Sequence, residues 1–269
     1  MSIFNPIIKF LIRIFCSIVI KNSIIKKYVF ESVLKTEISN FYEKGFFAGY
    51  RHIDKGIDIA HRFKLGIPYV IVDVGGSKGK TATIFSKGQP GQKIYVFEPI
   101  KSNFTEITKL LSDYSGIIPV NKALGNEEGT AKINIASRIS ASSLLELKAD
   151  KQSEVFSTAL EKVNVEEIII SRLDDEIPKN ENISILKIDV QGYEMEVLNG
   201  AESCLKRTSI IILEISNHGG YMGSPKYFEI DEKLRKFGFI LYDILPSTFD
   251  KGQLVEWDTI YLSKVLLNS

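Results

Sequence analysis

From Ile67 onward, short apolar runs alternate with stretches that carry apolar residues at helical spacing. That alternation leaves few folds open. Pro68–Val74 (PYVIVDV) is an apolar run stopped by glycines, the form of a strand buried on both faces. A helix is predicted to begin at Ala82–Lys87, a second strand at Lys93–Phe97, and a helix over Ser102–Tyr114. Phe104, Ile107, Leu110 and Leu111 line one face of that last helix. Gly116–Val120 reads as a third strand, Asn126 to Gly129 as a turn, and Thr130–Ile135 as an alternating antiparallel strand. Strands at Ile183–Val190, Ile210–Ile215, Phe239–Ile244 and Thr259–Ser263 follow, with helices over Glu194–Leu205 and near Tyr227–Phe237. Parallel strands need crossover connections, and helices supply them. The order therefore predicts a doubly wound, mostly parallel α/β sheet with an insertion over residues 126–175.

The chain has 269 residues, room for one such domain and an extension. A formal net charge of +1 argues against a protein that grips phosphate backbones, so no nucleic-acid partner is expected. Cys16 and Cys204 stand far apart outside any C-x-x-C pair, which points to a reducing compartment and away from a cysteine zinc site. The first 36 residues carry six basic side chains against Glu31, and Asn5, Lys9, Arg13 and Ser17 recur every four residues. Residues 1–45 therefore read as a basic, apolar helical extension, and 46–269 as the main domain. Charges inside the apolar run disfavour both a spanning helix and a cleavable signal. Two readings stay open for residues 1–36: an interfacial helix on an anionic membrane, or a helix packed on the domain or on a second subunit. The expected location is cytoplasmic, with the inner membrane face as the site of peripheral contact.

In an open α/β sheet, ligands bind beyond the carboxyl ends of the strands. The first strand ends Asp73-Val74-Gly75-Gly76-Ser77-Lys78-Gly79. A G-x-G-x-x-G fingerprint fails from either Gly75 or Gly76. A phosphate loop ending in Gly79-Lys80-Thr81 would need its first glycine at Val74. S-adenosylmethionine fits better, because it carries no phosphate and is cationic at its amino-acid end. Asp73 suits that end. Glu98 closes the second strand 25 residues later, where a carboxylate can accept both ribose hydroxyls. The competing reading is that both acids merely cap helices.

The blocks VIVDVGGSKG, VFEPIKSNF, NKALGNEEG, SSLLEL, LKIDVQGYEMEVLNGAE, IIILEIS and WDTIYLSK run from about residue 67 to 264. In this order they resemble the FkbM type of class I S-adenosylmethionine-dependent methyltransferases. The resemblance implies a seven-stranded Rossmann-like sheet with an antiparallel last strand. It also implies O-methylation of a hydroxyl on a sugar, glycan or glycolipid. Carried over, Asp73, Gly75, Gly76, Ser77 and Gly79 form the cofactor loop, with Gly76 and Ser77 where alanine and asparagine are usual. Glu98 would hold the ribose, and Pro99, Ala123 and Leu124 would lie by the adenine. Asp189 would face both cofactor and acceptor, unless it caps the helix that starts near Gly192.

Transfer to a neutral hydroxyl calls for a base, and His218 is the first candidate by its ordinary pKa, ahead of Asp189 and Glu214. His52 and His61 read as structural. Asp189, Glu214 and Asn217 carry oxygen ligands suited to Mg²⁺, yet no spacing points to a metal, and none is assigned. The alternatives to a glycan enzyme are a soluble methyltransferase of small natural products and a non-catalytic cofactor-binding scaffold. The loops 136–165 and 216–226 would choose the acceptor and carry no readable code.

Overall fold

A computed structural model of the chain describes residues 50–110, 112, 114, 116–136, 141–146, 162–216, 221–250 and 253–268. The predicted N-terminal extension, residues 1–45, lies outside them, as do Asn217 and His218. Helix α1 (Arg51–Arg62) leads into strand β1 (Val70–Val74), α2 (Lys80–Gly88), β2 (Lys93–Phe97), α3 (Lys101–Leu110) and β3 (Ile117–Val120). Strands β4 (Ala123–Leu124), β5 (Gly129–Ala136) and β6 (Lys162–Ser171) follow, then α4 (Leu173–Glu176) and β7 (Ile183–Ile188). Helices α5 (Glu194–Asn199) and α6 (Glu202–Leu205), β8 (Thr208–Ser216), α7 (Tyr227–Lys236), β9 (Phe239–Asp250), β10 (Gln253–Ser263) and α8 (Lys264–Leu267) complete the order.

Seven strands form one sheet in the order β3-β2-β1-β7-β8-β10-β9. Pairing is parallel from β3 to β8, while β10 runs antiparallel to both β8 and β9. The expected doubly wound α/β sheet with an antiparallel last strand is thus present. Every residue of β1 and β7 is buried, as strands covered on both faces must be. Alternation sorts their side chains: Val70, Val72 and Val74 join one core with Leu198, Leu205 and Leu234. Ile71 faces the opposite core, with Ile53, Ile57 and Phe85.

Several boundaries differ from expectation. Helix α3 stops at Leu110, short of Tyr114. Strands β9 and β10 are about twice the predicted length, because the ladder continues past Ile244 and back before Thr259, with Leu245, Val255 and Trp257 still buried. Part of the insertion, β5 and β6, joins β4 in a separate three-stranded sheet of order β4-β6-β5. Its inner face supplies Ala123, Ile133 and Ile168 to a small core with Ile100. No helix among the described residues is long and apolar enough to cross a membrane.

Candidate functional site

Strand order reverses between β1 and β7, and the loops after β1, β2 and β7 meet there. The turn after β1 is built on close approach. Gly75 has φ +83°, and a Cβ on it would stand 1.9 Å from the Asp189 carbonyl oxygen. Gly75 and Gly76 both donate their N–H to the Phe97 carbonyl, at 3.0 and 2.9 Å, which ties this turn to the end of β2. Ser77 sits in the left-handed region at φ +46°, a conformation with an energetic cost for a residue bearing a Cβ. In that pose its N–H donates to Glu98 Oε2 at 2.8 Å.

The other Glu98 oxygen accepts from the Ile100 N–H at 2.9 Å and the Asn103 amide at 3.4 Å. Glu98 is 4% exposed, and burial pushes its carboxyl up to about 7 despite these donors. The Ile100 contact lies just before α3, so Glu98 does brace a helix start while also lining the cleft. Asn121 donates to the carbonyls of Glu98 and Pro99, both at 2.9 Å, and so fixes the chain beyond β2.

A cleft opens here at the carboxyl ends of the strands. Gly75, Ser77, Glu98, Pro99, Ala123, Leu124 and Asp189 all line it, together with apolar Phe97, Ile100, Ile133 and Leu144. Three residues expected at the ligand stand elsewhere. Gly76 packs under the loop, where a Cβ would meet Val96 at 2.4 Å. Gly79, at φ +76°, is the N-cap of α2. Asp73 is fully buried and faces Lys187 instead of the cleft. β1 alternates, and the side chain before the turn points into the sheet's interior.

Asp189 follows β7 with its side chain one-third exposed. It does not cap α5. Its Oδ1 accepts the Gln191 side-chain amide at 2.9 Å, and its Oδ2 lies 3.3 Å from the Lys187 ammonium. Enclosure by the protein pushes its carboxyl upward, but Lys187 and the Gln191 hydrogen bond outweigh this and hold it below the ordinary range. The same Gln191 amide donates to Glu214 Oε2 at 2.7 Å, so its two hydrogens span two carboxylates. Burial, and then repulsion from Asp189, Glu256 and Asp258, raise Glu214 well above the usual carboxylate range.

Gln191 adopts φ +56° and Gly192 φ +98°, a turn that aims the amide between the two acids. The Ser143 hydroxyl latches this turn from the insertion, donating to the Gln191 carbonyl at 2.7 Å. The Tyr221 hydroxyl lies 2.7 Å from the Ala141 carbonyl and 3.1 Å from Gln191 Oε1, and its ring is buried. A second, much narrower cleft adjoins the first across Gln191 and is lined by Glu214, Ser216, Tyr221 and Glu256. Asp189 thus stands on the first cleft and Glu214 on its neighbour. His218, the first expected base, falls outside the described residues. His52 pairs with Asp258 at 2.9 Å, and His61 bonds the Gly88 carbonyl at 2.8 Å, both structural contacts.

Lys187 escaped the sequence reading, although a signal was there: a lysine inside ISILKIDV is a charge in the middle of a buried strand, and such a charge must have partners. Ser143 and the bridging role of Gln191 left no comparable trace, since both depend on a tertiary turn.

The family model described as the methyltransferase FkbM domain matches residues 73–241, which include Gly75, Ser77, Glu98, Asp189, Gln191 and Glu214. Methyltransferase 1 of Beauveria bassiana (strain ARSEF 2860) is 26% identical over 144 residues, 49% of this chain and 58% of the relative. Hexuronic acid methyltransferase AglP of Haloferax volcanii is 29% identical over 152 residues, 56% of each chain. The chain therefore spans little more than half the length of these curated relatives. The crystal structure of methyltransferase FkbM from Methylobacillus flagellatus KT aligns over 87% of this chain and 60% of that one, at 14% identity and a TM-score of 0.48. With its family model covering more than half its length, the chain belongs to the methyltransferase FkbM domain family.

Proposed function

We propose that the chain is an S-adenosylmethionine-dependent O-methyltransferase acting on a hydroxyl of a sugar, glycan or glycolipid. The observation that carries the reading is Glu98, a nearly buried carboxylate held at the edge of the cleft by two backbone amides. Hydrogen bonds to a diol are what such a fixed pair of oxygens can accept. The apolar lining of Phe97, Pro99, Ala123 and Leu124 suits an adenine, and the Asp189 carboxylate suits a cationic end. Phosphate is poorly served. The one basic side chain on the described lining, Lys122, is paired with Glu176 at 2.6 Å.

When bound, S-adenosylmethionine supplies an activated methyl group on a sulfonium. The chain's own part is to align the acceptor, which can be worth roughly 7–11 kcal/mol. It must also take the hydroxyl proton. Asp189 and Glu214, bridged by Gln191 beside both clefts, are proposed for that role together with His218. The kinship with a hexuronic acid methyltransferase supports a sugar acceptor.

Incubating the protein with labelled S-adenosylmethionine and fractionated glycans, lipids and small metabolites tests the reading. Label is expected in the glycan or glycolipid fraction, and label confined to small molecules would replace it with a natural-product enzyme. His218→Ala is expected to lower turnover and leave affinity for S-adenosylhomocysteine within about twofold, and unchanged turnover would remove His218 as the base.

A further inference from the structure

Lys187 is the next-to-last residue of β7 and is 4% exposed. Its ammonium reaches three pieces of the site. It donates to the Gly75 carbonyl at 3.2 Å, and it stands 3.4 Å from Asp73 Oδ1 and 3.3 Å from Asp189 Oδ2. Asp73 depends on it: the carboxylate is fully buried, and neither oxygen has another hydrogen-bond partner among the described residues. A buried pair kept for stability alone would be replaceable by apolar side chains of similar volume. Here the partners of one cation are the strand end before the glycine turn, the turn itself, and the acid on the cleft.

We propose that Lys187 is a positioning residue for the nucleoside ligand. It locks the glycine turn through Gly75 and holds Asp189 ionised and aimed, so that a single carboxylate meets the ligand's cationic end. The inference rests on the nucleoside-binding reading of the cleft. The charged groups around the ammonium are Asp73 from β1, Asp189 after β7, Glu214 from β8 and Glu98 from β2. His52 from α1 acts in turn on Asp73. Acids outnumber bases. With Lys187 gone, Asp189 loses the cation that favours its ionised form, so its carboxyl shifts upward and the protonated form gains at low pH. A cationic ligand then loses its partner at low pH and regains it at high pH.

Calorimetric titration of the full chain with S-adenosylhomocysteine from pH 6 to 8.5 tests this. For Lys187→Gln, the dissociation constant is expected to exceed wild type at least tenfold at pH 6, and the ratio to shrink to about threefold at pH 8.5. Lys187→Arg, which keeps the charge, is expected to hold a pH-independent ratio. A Lys187→Gln ratio that is constant with pH, whether near one or large, would overturn the proposal, since a merely structural loss weakens binding alike at every pH. Should Lys187→Gln fail to fold, Asp73→Asn combined with Lys187→Met removes both buried charges together, and the same shrinking ratio is expected of it. Wild type binding no S-adenosylhomocysteine would sink the nucleoside reading itself. That result is distinct from a wild type that binds beside a variant with a constant ratio.

Discussion

The two halves of the site hold their polar groups by different means. On the cofactor half, backbone amides do the holding: Ser77 and Ile100 fix Glu98, and Gly75 and Gly76 bind the Phe97 carbonyl. On the transfer half, side chains from separate elements hold one another, with Gln191 between Asp189 and Glu214, Ser143 on the Gln191 turn, and Tyr221 behind it. Backbone contacts survive most side-chain changes and give a rigid cradle. A network of side chains can be rebuilt one residue at a time, which suits the role in acceptor matching proposed for this half.

If this contrast is right, the cofactor half breaks hardest where backbone meets backbone. Gly75→Ala adds a Cβ at φ +83° into the Asp189 carbonyl, and should cost about 3 kcal/mol or more. Urea unfolding measures it, and a loss below about 1 kcal/mol would mean the turn is softer than described. Next in size, Glu98→Ala should weaken S-adenosylhomocysteine binding about a hundredfold, through two lost hydrogen bonds to a charged group. Undiminished binding would end the diol assignment.

Protonation offers a finer probe. With Glu98 raised to about 7, binding that uses its ionised form should tighten about tenfold from pH 6 to 8, and Glu98→Gln should abolish that slope. The same shift acts on stability with the opposite sign. The folded chain keeps protons on Glu98 and Glu194, both near 7, that the unfolded chain has released. Stability from these acids is therefore present below about pH 4.5 and lost as pH rises through 7, and a melting temperature that rises across that window would contradict it. The smallest effect belongs to the transfer half. Tyr221→Phe removes the hydroxyl that meets Ala141 and Gln191 and should cost about 1 kcal/mol of stability, with turnover falling and S-adenosylhomocysteine affinity unchanged.

The same contrast explains what could be read from the sequence. Asp73, the glycines and Glu98 are local signals at strand ends, so the glycine turn and the cleft-facing acid were visible without coordinates. The sheet was visible too, since β1, β2, β7 and β8 are apolar runs at crossover spacing. What stayed hidden depends on direction or distance. Nothing in the sequence says that Asp73 points inward to Lys187, or that Gln191 and Ser77 take left-handed backbones. Nor could Ser143 be seen to reach a turn 48 residues away. The long β9–β10 ladder extends through Val255 and Trp257, an apolar–polar alternation that the expected strand, starting at Thr259, left out.

Strand β10 lies between β8 and β9, although it is made after both. As the chain leaves the ribosome, β9 therefore has no neighbour in the sheet until residues 253–263 slide into the gap. The register of β9 is thus set by the closing segment. Truncation before Gln253 would strand β9 as a loose ribbon, while the Gly75 turn and the Glu98 cradle, built on β1 and β2, would already be in place.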